Sequence, residues 1–329
     1  MIAIVFEGAG GNEVVHEQQR ETPTPGPMEV LVSVTRAGLN PADVAQRQGR
    51  YPAPPGVPAD IGGIEVAGVV ETVGPGVSCW SPGDRVFGLV SGGGLAERVV
   101  AHERCLAAVP HRLGDAEAAA SPEAFLTAHD ALVAVGRIRP GDRVLVTGAN
   151  GGVGAAALQL IHAFGGTAVG TSRSTRGLDF IRSLGAVALP HDDLATLEDA
   201  AFDVVIELVG GANLSRVPDL LAHRGRAVVV GTPAGDRMEV SARILSRKRA
   251  SIEGTNLRNR PLEDKALAVQ AFAREVVPLL GSGVVVPHVD AEFSHKDVVP
   301  ALERLSASGK RGKVLVVFPE GGPVRSVMV

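Results

Sequence analysis

A glycine-rich segment near the middle of the chain carries the clearest chemical signal. The apolar run 144–147 leads into Gly148-Ala149-Asn150-Gly151-Gly152-Val153-Gly154, and an apolar helical pattern follows over residues 155–164. A strand, a tight glycine turn and a helix in this order let the backbone approach a pyrophosphate at the helix N-terminus. Residues Ala149 to Gly154 are therefore predicted to bind a dinucleotide, although Ala149 replaces the first glycine of the usual pattern. A tight turn that binds nothing is the alternative.

A second polar set follows the next predicted strand, residues 167–171. It contains Ser172, Arg173 and Arg176, and no acidic residue occurs between Phe164 and Arg176. Enzymes that use NAD usually have an acidic residue near this point, which binds the ribose hydroxyls. Hydroxyl and guanidinium donors suit a ribose 2′-phosphate instead. The segment predicts NADPH in preference to NADH, with a solvated basic helix start as the alternative.

Three further segments lie where later strands of this half are predicted to end. Val209-Gly210 and Gly231-Thr232 end two of these strands, at the carboxyl edge where such sheets bind ligands. Both pairs are predicted to contact the cofactor. The polar loop that contains Asn256, Arg258 and Arg260 follows another strand. Its side chains are predicted either to reach the cofactor phosphates or to be solvated.

The elements that position these residues alternate between strand and helix after about residue 120. Strands are predicted at 143–147, 167–171, 202–208, 227–231 and 250–254, and helices at 126–136, from 153, around 178–184, around 214–222 and at 261–280. This alternation predicts an α/β fold with a doubly wound parallel sheet. Before residue 120, β-branched runs at 29–35 and 65–73, separated by Pro and Gly, predict a β-rich region. A last strand is predicted at 313–318.

Composition and charge exclude several classes of protein. The formal net charge is −4 and no basic stripe occurs, which argues against nucleic-acid binding. Two cysteines are too few for a disulfide framework or a four-thiolate metal site. The first residues lack a basic region before their apolar run, so no secretory signal is predicted. Glycines interrupt the longest apolar stretch, so no membrane span is predicted and a cytoplasmic location is expected.

Several motifs together resemble the medium-chain dehydrogenase/reductase superfamily over nearly the whole chain. The motifs come in that family's order: Gly63-Ile64-Glu65-Val66-Ala67-Gly68, Gly83-Asp84-Arg85-Val86, the glycine-rich turn and Gly312-Lys313-Val314. The segments Leu39-Asn40-Pro41-Ala42-Asp43, Gln46 to Tyr51 and Pro122-Glu123-Ala124-Phe125-Leu126-Thr127-Ala128 are similar to the zinc-independent quinone oxidoreductases, in particular to the stress-inducible quinone reductases.

The resemblance implies two domains. A GroES-like β-barrel catalytic domain would comprise residues 1–122 and 262–329, and a Rossmann-type NADPH-binding domain would comprise residues 123–261. It also implies a homodimer in which the nucleotide-domain sheets join edge to edge, through the strand near residues 250–254.

The resemblance also implies four further site residues. Asn40 and Tyr51 would lie near the nicotinamide and the substrate as catalytic residues, where an amide and a phenol can donate hydrogen bonds to a carbonyl oxygen. An Asn-Pro turn and a surface aromatic are the alternatives for these two. Thr127 would lie beneath the nicotinamide, unless it only packs its helix. Lys313 would lie near the cofactor, unless it is a surface lysine.

Residues at the zinc-ligand positions argue against a metal. The zinc-dependent relatives have a Cys in the loop that corresponds to residues 38–42, and a His just before the residue that corresponds to Glu65. This chain has Gly-Leu-Asn-Pro-Ala in the loop and Ile64 before Glu65. A catalytic zinc needs three good ligands in one place, and no metal site is predicted.

These features together predict a zinc-independent NADPH-dependent oxidoreductase that transfers hydride to a quinone or another conjugated carbonyl compound. An enoyl or alkenal reductase is the alternative enzyme, with the same cofactor and a differently shaped pocket. A binding protein that holds NADPH as a redox sensor, or that binds RNA, is the alternative outside enzymes. The weak net charge counts against RNA.

Overall fold

The computed structural model describes residues 1–197 and 201–319, which form two large sheets connected by helices. The strands are β1 Ile2–Phe6, β2 Val15–Gln19, β3 Glu29–Leu39, β4 Glu65–Val73, β5 Arg85–Leu89, β6 Arg98–His102, β7 Leu106–Ala108, β8 Arg143–Val146, β9 Thr167–Ser172, β10 Val187–Pro190, β11 Phe202–Glu207, β12 Leu221–Val229, β13 Ser251–Gly254, β14 Val289–Ser294 and β15 Lys313–Val317. The α-helices are α1 Pro41–Arg47, α2 Asp115–Ala119, α3 Pro122–His129, α4 Gly152–Ala163, α5 Thr175–Ser183, α6 Val217–Leu220, α7 Ala242–Lys248, α8 Leu262–Glu275, α9 Val277–Ser282 and α10 Val298–Ser306.

The parallel sheet has the strand order β10-β9-β8-β11-β12-β13, and every adjacent pair runs parallel. Its first strand along the chain, β8, lies near the centre, and the later strands extend outward on both sides. This is the doubly wound order of dinucleotide-binding domains, in which ligands bind at the carboxyl ends of the strands. The predicted fold of this half is confirmed, and the glycine-rich turn lies at that edge because it follows β8.

The seven-stranded sheet combines early and late parts of the chain. Its order is β14-β15-β3-β4-β5-β7, and β6 also pairs with β3. Strand β3 continues four residues beyond the predicted end at residue 35, because Arg36–Leu39 pair antiparallel with Val314–Val317 of β15. That partner is distant in sequence, so local pattern could not show the extension. The domain boundaries at residues 122–123 and 261–262 stay predictions.

Helix α3 lies between the two sheets and shares one apolar core with both of them. Phe125 of α3, Phe87 of β5, Val146 of β8 and Phe272 of α8 belong to this core and are almost completely buried. The rings of Phe87 and Phe272 meet edge to face at 5.9 Å between centroids. Packing on both sides therefore fixes the position of α3 and of the polar side chains that it carries.

The helix predicted around residues 214–222 is wrong in its second part. A 3-10 helix over Gly211–Arg216 and the single turn α6 form there, and β12 begins at Leu221. Pro218 is tolerated in the first turn of a helix but not farther along, because it has no N–H to donate. Leu221 pairs instead with Phe202 of β11. A strand partner that is distant along the chain thus overrides the local helical spacing.

Two other predicted helices are divided. The helix predicted at 261–280 forms as α8 and α9, which meet at Val276. Pro278 explains the break, because its ring excludes the carbonyl of residue 274 from a continuous helix. The helix predicted at 126–136 begins earlier, as α3, and continues as a π-helical turn over Asp130–Val135. No helix in residues 1–197 and 201–319 combines the length and the apolar character needed to cross a bilayer.

The seven-stranded sheet contacts the glycine-rich turn at the start of β15. The Gly312 N–H donates to the Asn150 carbonyl at 3.1 Å, and the Asn150 side chain donates to the Lys310 carbonyl at 3.0 Å. Gly312 has a φ of 93°, and a Cβ added there would lie 2.1 Å from the His288 carbonyl oxygen. Glycine is therefore required where the two parts of the molecule join.

Gly312→Ala should destabilise the protein, because the new methyl group must overlap backbone atoms and the backbone must keep a positive φ. The conformational strain alone costs about 1–2 kcal/mol, and the overlap adds to it. Gly83→Ala is the matched control, because Gly83 has a φ of 97° with no atom within 4 Å of an added Cβ. Denaturant titrations of both variants measure the difference. Equal losses of unfolding free energy in the two variants would show that overlap with His288 does not contribute to the destabilisation.

Candidate functional site

The glycine-rich turn connects β8 to α4 at the carboxyl edge of the parallel sheet. Gly148 has a φ of 60°, which a residue with a side chain rarely adopts. A Cβ on Gly154 would lie 2.5 Å from the Ala149 Cα, so the first turn of α4 packs directly on the turn that precedes it. The free N–H groups of the α4 N-terminus, which begins at Gly152, suit a pyrophosphate. The geometry fits the predicted role of residues Ala149 to Gly154, including Val153.

The residues predicted to bind a 2′-phosphate lie at the end of β9. Ser172 is buried, and its Oγ accepts the Ser174 N–H at 3.3 Å. Arg173 and Arg176 are both exposed, and neither forms an ion pair with a residue in the described ranges. Two guanidinium groups are thus available beside the turn that would hold the pyrophosphate. They fit a phosphorylated ribose by charge and by position.

Glu207, which the sequence analysis did not single out, organises the loop after β11. Its Oε1 atom accepts the N–H groups of Val209 at 2.7 Å and Gly210 at 2.8 Å, and the Thr147 hydroxyl at 2.8 Å. A Cβ on Gly210 would lie 2.8 Å from the Thr232 Cβ. The predicted segments Val209-Gly210 and Gly231-Thr232 are therefore adjacent. An acidic residue directly after the apolar run at 204–206 was the available sequence signal for Glu207.

A buried ion pair between Lys313 and Glu65 lies where the seven-stranded sheet meets the glycine-rich turn, and we call this pair with Asn40, Asp43 and Glu123 the cleft floor. The exposed fraction is 5% for Lys313 and 0% for Glu65. Asn40 binds both partners: its Oδ1 accepts from the Lys313 ammonium at 2.5 Å, and its Nδ2 donates to the Glu65 carboxylate at 2.8 Å. The surface alternative for Lys313 is wrong. A Cβ on Gly152 would lie 2.5 Å from the Lys313 Cδ, so this group adjoins the glycine-rich turn.

Asn40 also begins α1, as an Asn-Pro turn predicts. Its N–H donates to the Asp43 carboxylate at 2.7 Å, and the same carboxylate accepts the Gly63 N–H at 2.8 Å. Its side-chain amide donates to the Gly38 carbonyl at 3.2 Å in addition to Glu65. Both amide hydrogens thus have partners within the protein. The role of Asn40 as a donor to a substrate stays a prediction.

Two further acidic groups adjoin this ion pair. The Glu123 N–H donates to the second Glu65 carboxylate oxygen at 2.8 Å, and the Glu123 carboxyl group accepts the Thr127 hydroxyl at 3.0 Å. Burial and the nearby Glu65 carboxylate raise the pKa of Glu123 to about 7. Burial raises the pKa of Asp43 to about 6, against the effect of its two backbone donors. Thr127, predicted from family resemblance, thus belongs to a charged cluster that the sequence analysis did not identify.

Tyr51 follows the C-terminal end of α1 and meets the loop that follows β13. Its hydroxyl oxygen accepts a hydrogen bond from the Asn256 side chain at 3.1 Å. The Arg258 guanidinium lies 5.0 Å from the centre of the Tyr51 ring and donates to the Ser91 carbonyl at 2.8 Å and to the Gln46 side chain at 2.6 Å. Arg258 is buried, so the solvated alternative is wrong for this residue. Its role in binding cofactor phosphates stays a prediction.

Arg260, in the same loop as Arg258, is also bonded within the protein, to Asp130. Its guanidinium donates to both oxygens of the buried Asp130 carboxylate, at 2.8 and 2.7 Å. Thr255 also donates to Asp130, at 2.5 Å. These bonds join the loop after β13 to the π-helical turn that follows α3. The loop that carries Asn256 is thereby held at the cleft.

The positions that bind zinc in related enzymes contain apolar or amide side chains here. Ile64 is buried, and the loop at 38–42 supplies only the Asn40 amide to the cleft floor. Within residues 1–197 and 201–319, no group of three or more His, Cys, Asp or Glu side chains is arranged to hold a metal ion. The two cysteines are separate, with Cys79 exposed and Cys105 buried.

Lys313→Met should destabilise the protein strongly, because it leaves Glu65 and the Asn40 carbonyl oxygen buried without their cation. Removal of one partner of a buried pair typically costs about 3–5 kcal/mol. Lys313→Met combined with Glu65→Gln should recover part of this loss, because neither charge then remains. Free energies of unfolding from denaturant titration measure both effects, with Lys296→Met on the exposed surface as the control. A double variant no more stable than the single variant would contradict this account of the cluster.

Two family models match the chain. The model described as an alcohol dehydrogenase GroES-like domain matches residues 26–111, and the model described as a zinc-binding dehydrogenase matches residues 152–274. The quinone oxidoreductase of Mus musculus is 33% identical over 95% of this chain and 96% of its own length.

Solved structures agree in fold. The quinone oxidoreductase of Pseudomonas syringae pv. Tomato DC3000 is 29% identical with a TM-score of 0.83, over 96% of this chain and 99% of that one. A mycobacterial protein complexed with NADPH is 26% identical with a TM-score of 0.87, over 97% of this chain and 100% of that one. The chain belongs to the medium-chain dehydrogenase/reductase superfamily, in its quinone oxidoreductase-like branch, and is an oxidoreductase of a family that uses nicotinamide cofactors.

Proposed function

We propose that this protein is an NADPH-dependent reductase that transfers hydride to a quinone or another conjugated carbonyl compound without zinc. The observation that carries the proposal is the cleft floor. There, the ammonium of Lys313 lies beside Gly152 of the glycine-rich turn and binds Glu65 and Asn40. The chain thus brings its own buried cation to the place where the two sheets meet. Its similarity to proteins named quinone oxidoreductase supports the class of acceptor.

The residues at the parallel-sheet edge support NADPH. The turn from Ala149 to Gly154 would hold the pyrophosphate, and Arg173 and Arg176, with Ser172, would hold the 2′-phosphate. The NADPH complex of the mycobacterial protein is consistent with this choice. When bound, the reduced nicotinamide would supply the hydride, and the protein would orient the acceptor and stabilise charge on it.

The electrostatics of the cleft floor support chemistry without zinc. A zinc ion needs several anionic or neutral ligands with free lone pairs. Here the Glu65 carboxylate is already paired with the Lys313 ammonium, and the Asn40 side-chain oxygen already accepts a hydrogen bond from the same ammonium. A divalent cation placed beside them would face a buried positive charge in a low-dielectric environment. Ile64 supplies no ligand atom.

Tyr51 is the proposed donor to the reduced acceptor. Its hydroxyl oxygen accepts from Asn256, and the only nearby acceptor for its own hydrogen within the described ranges is the Asn256 Oδ1 atom at 3.5 Å. That contact is too long to hold the hydrogen firmly. The O–H group is thus available to a carbonyl oxygen on which negative charge develops. Asn40 is proposed as a second, weaker contributor, since its amide hydrogens are shared with Glu65 and Gly38.

The alternative acceptors differ in how much they need Tyr51. A quinone is a strong acceptor, whereas an enone or an enal depends more on stabilisation of its developing oxyanion. The two enzyme alternatives can therefore be separated with the same protein.

We also propose a homodimer through β13. This strand lies at the edge of the described sheet and pairs only with β12, so its other edge is left without a strand partner and needs to be covered.

Arg173→Ala combined with Arg176→Ala should weaken NADPH binding by about 10- to 100-fold, because charge-assisted bonds to a phosphate contribute about 1.5–3 kcal/mol. NADH lacks the phosphate, and its affinity should change little. Fluorescence titration of both cofactors measures this, with Arg247→Ala on the exposed surface of α7 as the control. Equal affinities for NADPH and NADH in the unmodified protein would refute the cofactor assignment.

Protein dialysed against a strong chelator should keep its full rate of NADPH oxidation with a quinone.

Tyr51→Phe should lower the single-turnover rate with an enone by about a hundredfold or more, as expected for loss of an oxyanion donor. It should lower the rate with a quinone less. Stopped-flow absorbance measures both rates, and NADPH affinity should stay nearly unchanged. Zinc that is lost together with activity, or a Tyr51→Phe variant that matches its parent with both acceptors, would overturn the respective part of the proposal.

A further inference from the structure

The cleft floor contains more acidic groups than its cations can neutralise. Three carboxyl groups face one another there: Glu65 from β4, Asp43 from α1 and Glu123 from α3. Lys313 from β15 is the cation that lies among them, and Arg258 acts on Asp43 from farther away. Like charges in a buried site oppose one another, so each negative charge there needs hydrogen-bond donors or a cation to stabilise it.

The three carboxyl groups differ in the hydrogen-bond donors that they have. The Glu65 carboxylate accepts from Lys313, from the Asn40 amide and from the Glu123 N–H. The Asp43 carboxylate accepts two backbone N–H groups, from Asn40 and Gly63. Such donors stabilise the ionised form of a carboxyl group. Both Glu65 and Asp43 thus have specific partners for a negative charge.

Of the three carboxyl groups, Glu123 has the fewest partners that would stabilise its negative charge. Its carboxyl group has a hydroxyl partner, Thr127 Oγ1 at 3.0 Å, and no cation bonded to it among the described residues. Burial and Glu65 oppose its ionisation and raise its pKa to about 7, while Lys313 acts in the other direction and Asp43 adds to the rise. Glu123 has intermediate exposure, whereas Asp43 and Glu65 are completely buried. It is therefore the group in this cluster that can both hold a proton near neutral pH and exchange it with its surroundings.

We propose that Glu123 is the proton store of the cleft and gives its carboxyl proton to the acceptor that has received hydride, with Thr127 positioning the carboxyl group. This inference rests on the proposed function. Reduction of a quinone or an enone adds one hydride and one proton. The O–H bond of Glu123 breaks, the new bond of the acceptor forms with that proton, and Glu123 remains as a carboxylate that solvent protonates again. Electrons come only from the hydride.

Thr127 suits the positioning role because a hydroxyl group can reverse its hydrogen bond. When Glu123 is ionised, the Thr127 hydroxyl donates to it, as the 3.0 Å contact allows. When Glu123 is protonated, the carboxyl O–H can donate to the Thr127 oxygen. The contact between the two side chains therefore persists in both protonation states. Thr127→Val keeps the shape of the side chain and removes the hydrogen bond to Glu123, whereas Thr127→Ser keeps that hydrogen bond.

A direct test measures the titration of Glu123 without cofactor or acceptor. Protein labelled with carbon-13 at the glutamate side-chain carboxyl is titrated by NMR, and Glu123→Gln identifies the signal by its loss. The signal should have its midpoint at about 7. Thr127→Val should shift the midpoint upward, because it removes a donor to the carboxylate, and Thr127→Ser should restore it. A midpoint at the ordinary glutamate value of about 4.3 overturns the proposal.

A second test measures the pH dependence of single-turnover acceptor reduction. In the parent, the rate should fall as the pH rises above about 7, because Glu123 then loses its proton. Glu123→Gln should be slower by about a hundredfold, as is typical for loss of a general acid, and should lack this dependence on pH. Glu21→Gln, on the exposed surface, is the matched control and should behave like the parent.

The outcomes separate the two proposals. A parent that reduces an acceptor, together with a folded Glu123→Gln variant of equal rate and equal pH profile, overturns the proton store and leaves the proposed function intact. A parent that binds NADPH and reduces no quinone or enone overturns the proposed function, and the proton store with it. Circular dichroism shows whether Glu123→Gln is folded. If it is not, the Thr127→Val and Thr127→Ser profiles decide, since only the former should differ from the parent.

Discussion

The buried contact between the Lys313 ammonium and the Glu65 carboxylate is the constraint on which the rest of the cleft depends. Transfer of each charge out of water costs several kcal/mol, so such a pair forms only where further hydrogen bonds satisfy both partners. Asn40 bonds to both members, and the Glu123 N–H bonds to the remaining carboxylate oxygen. The end of β3 and the starts of α3, β4 and β15 are thus held together by one charged group and its donors.

Close approach of backbones makes that contact possible. A Cβ on Gly38 would lie 2.2 Å from the Glu65 carboxylate, and a Cβ on Gly152 would lie 2.5 Å from the Lys313 side chain. Gly152 admits the lysine side chain beneath it and also begins α4, whose N–H groups we propose to bind the cofactor phosphates. Under that proposal, cofactor binding and the position of the charged cluster would be coupled through the same few atoms.

The same cluster gives the site its chemical character. Because the cation of the cleft floor is a protein ammonium that is already paired, the remaining acidic groups have little positive charge to stabilise them, and the pKa of Glu123, which has the fewest donors, is raised to about 7. An oxidoreductase that adds hydride to a carbonyl compound must also supply a proton. In our proposals the partly buried Glu123 would supply that proton, and the Tyr51 hydroxyl would donate a hydrogen bond to the acceptor oxygen.

The sequence by itself determined the features that depend on neighbours along the chain. The glycine-rich turn, the alternation of strands and helices, the exact span of β4 and the basic segment after β9 follow from local pattern, and the structure has them. Local pattern was wrong where a distant partner or a proline decided, as at Leu221, Val276 and the end of β3. The roles of Glu65, Glu123 and Glu207 were likewise decided only by the tertiary structure. A carboxyl group acquires its partners and its pKa from groups that are far apart in sequence, and only the packing of α3 between two sheets brings those groups together.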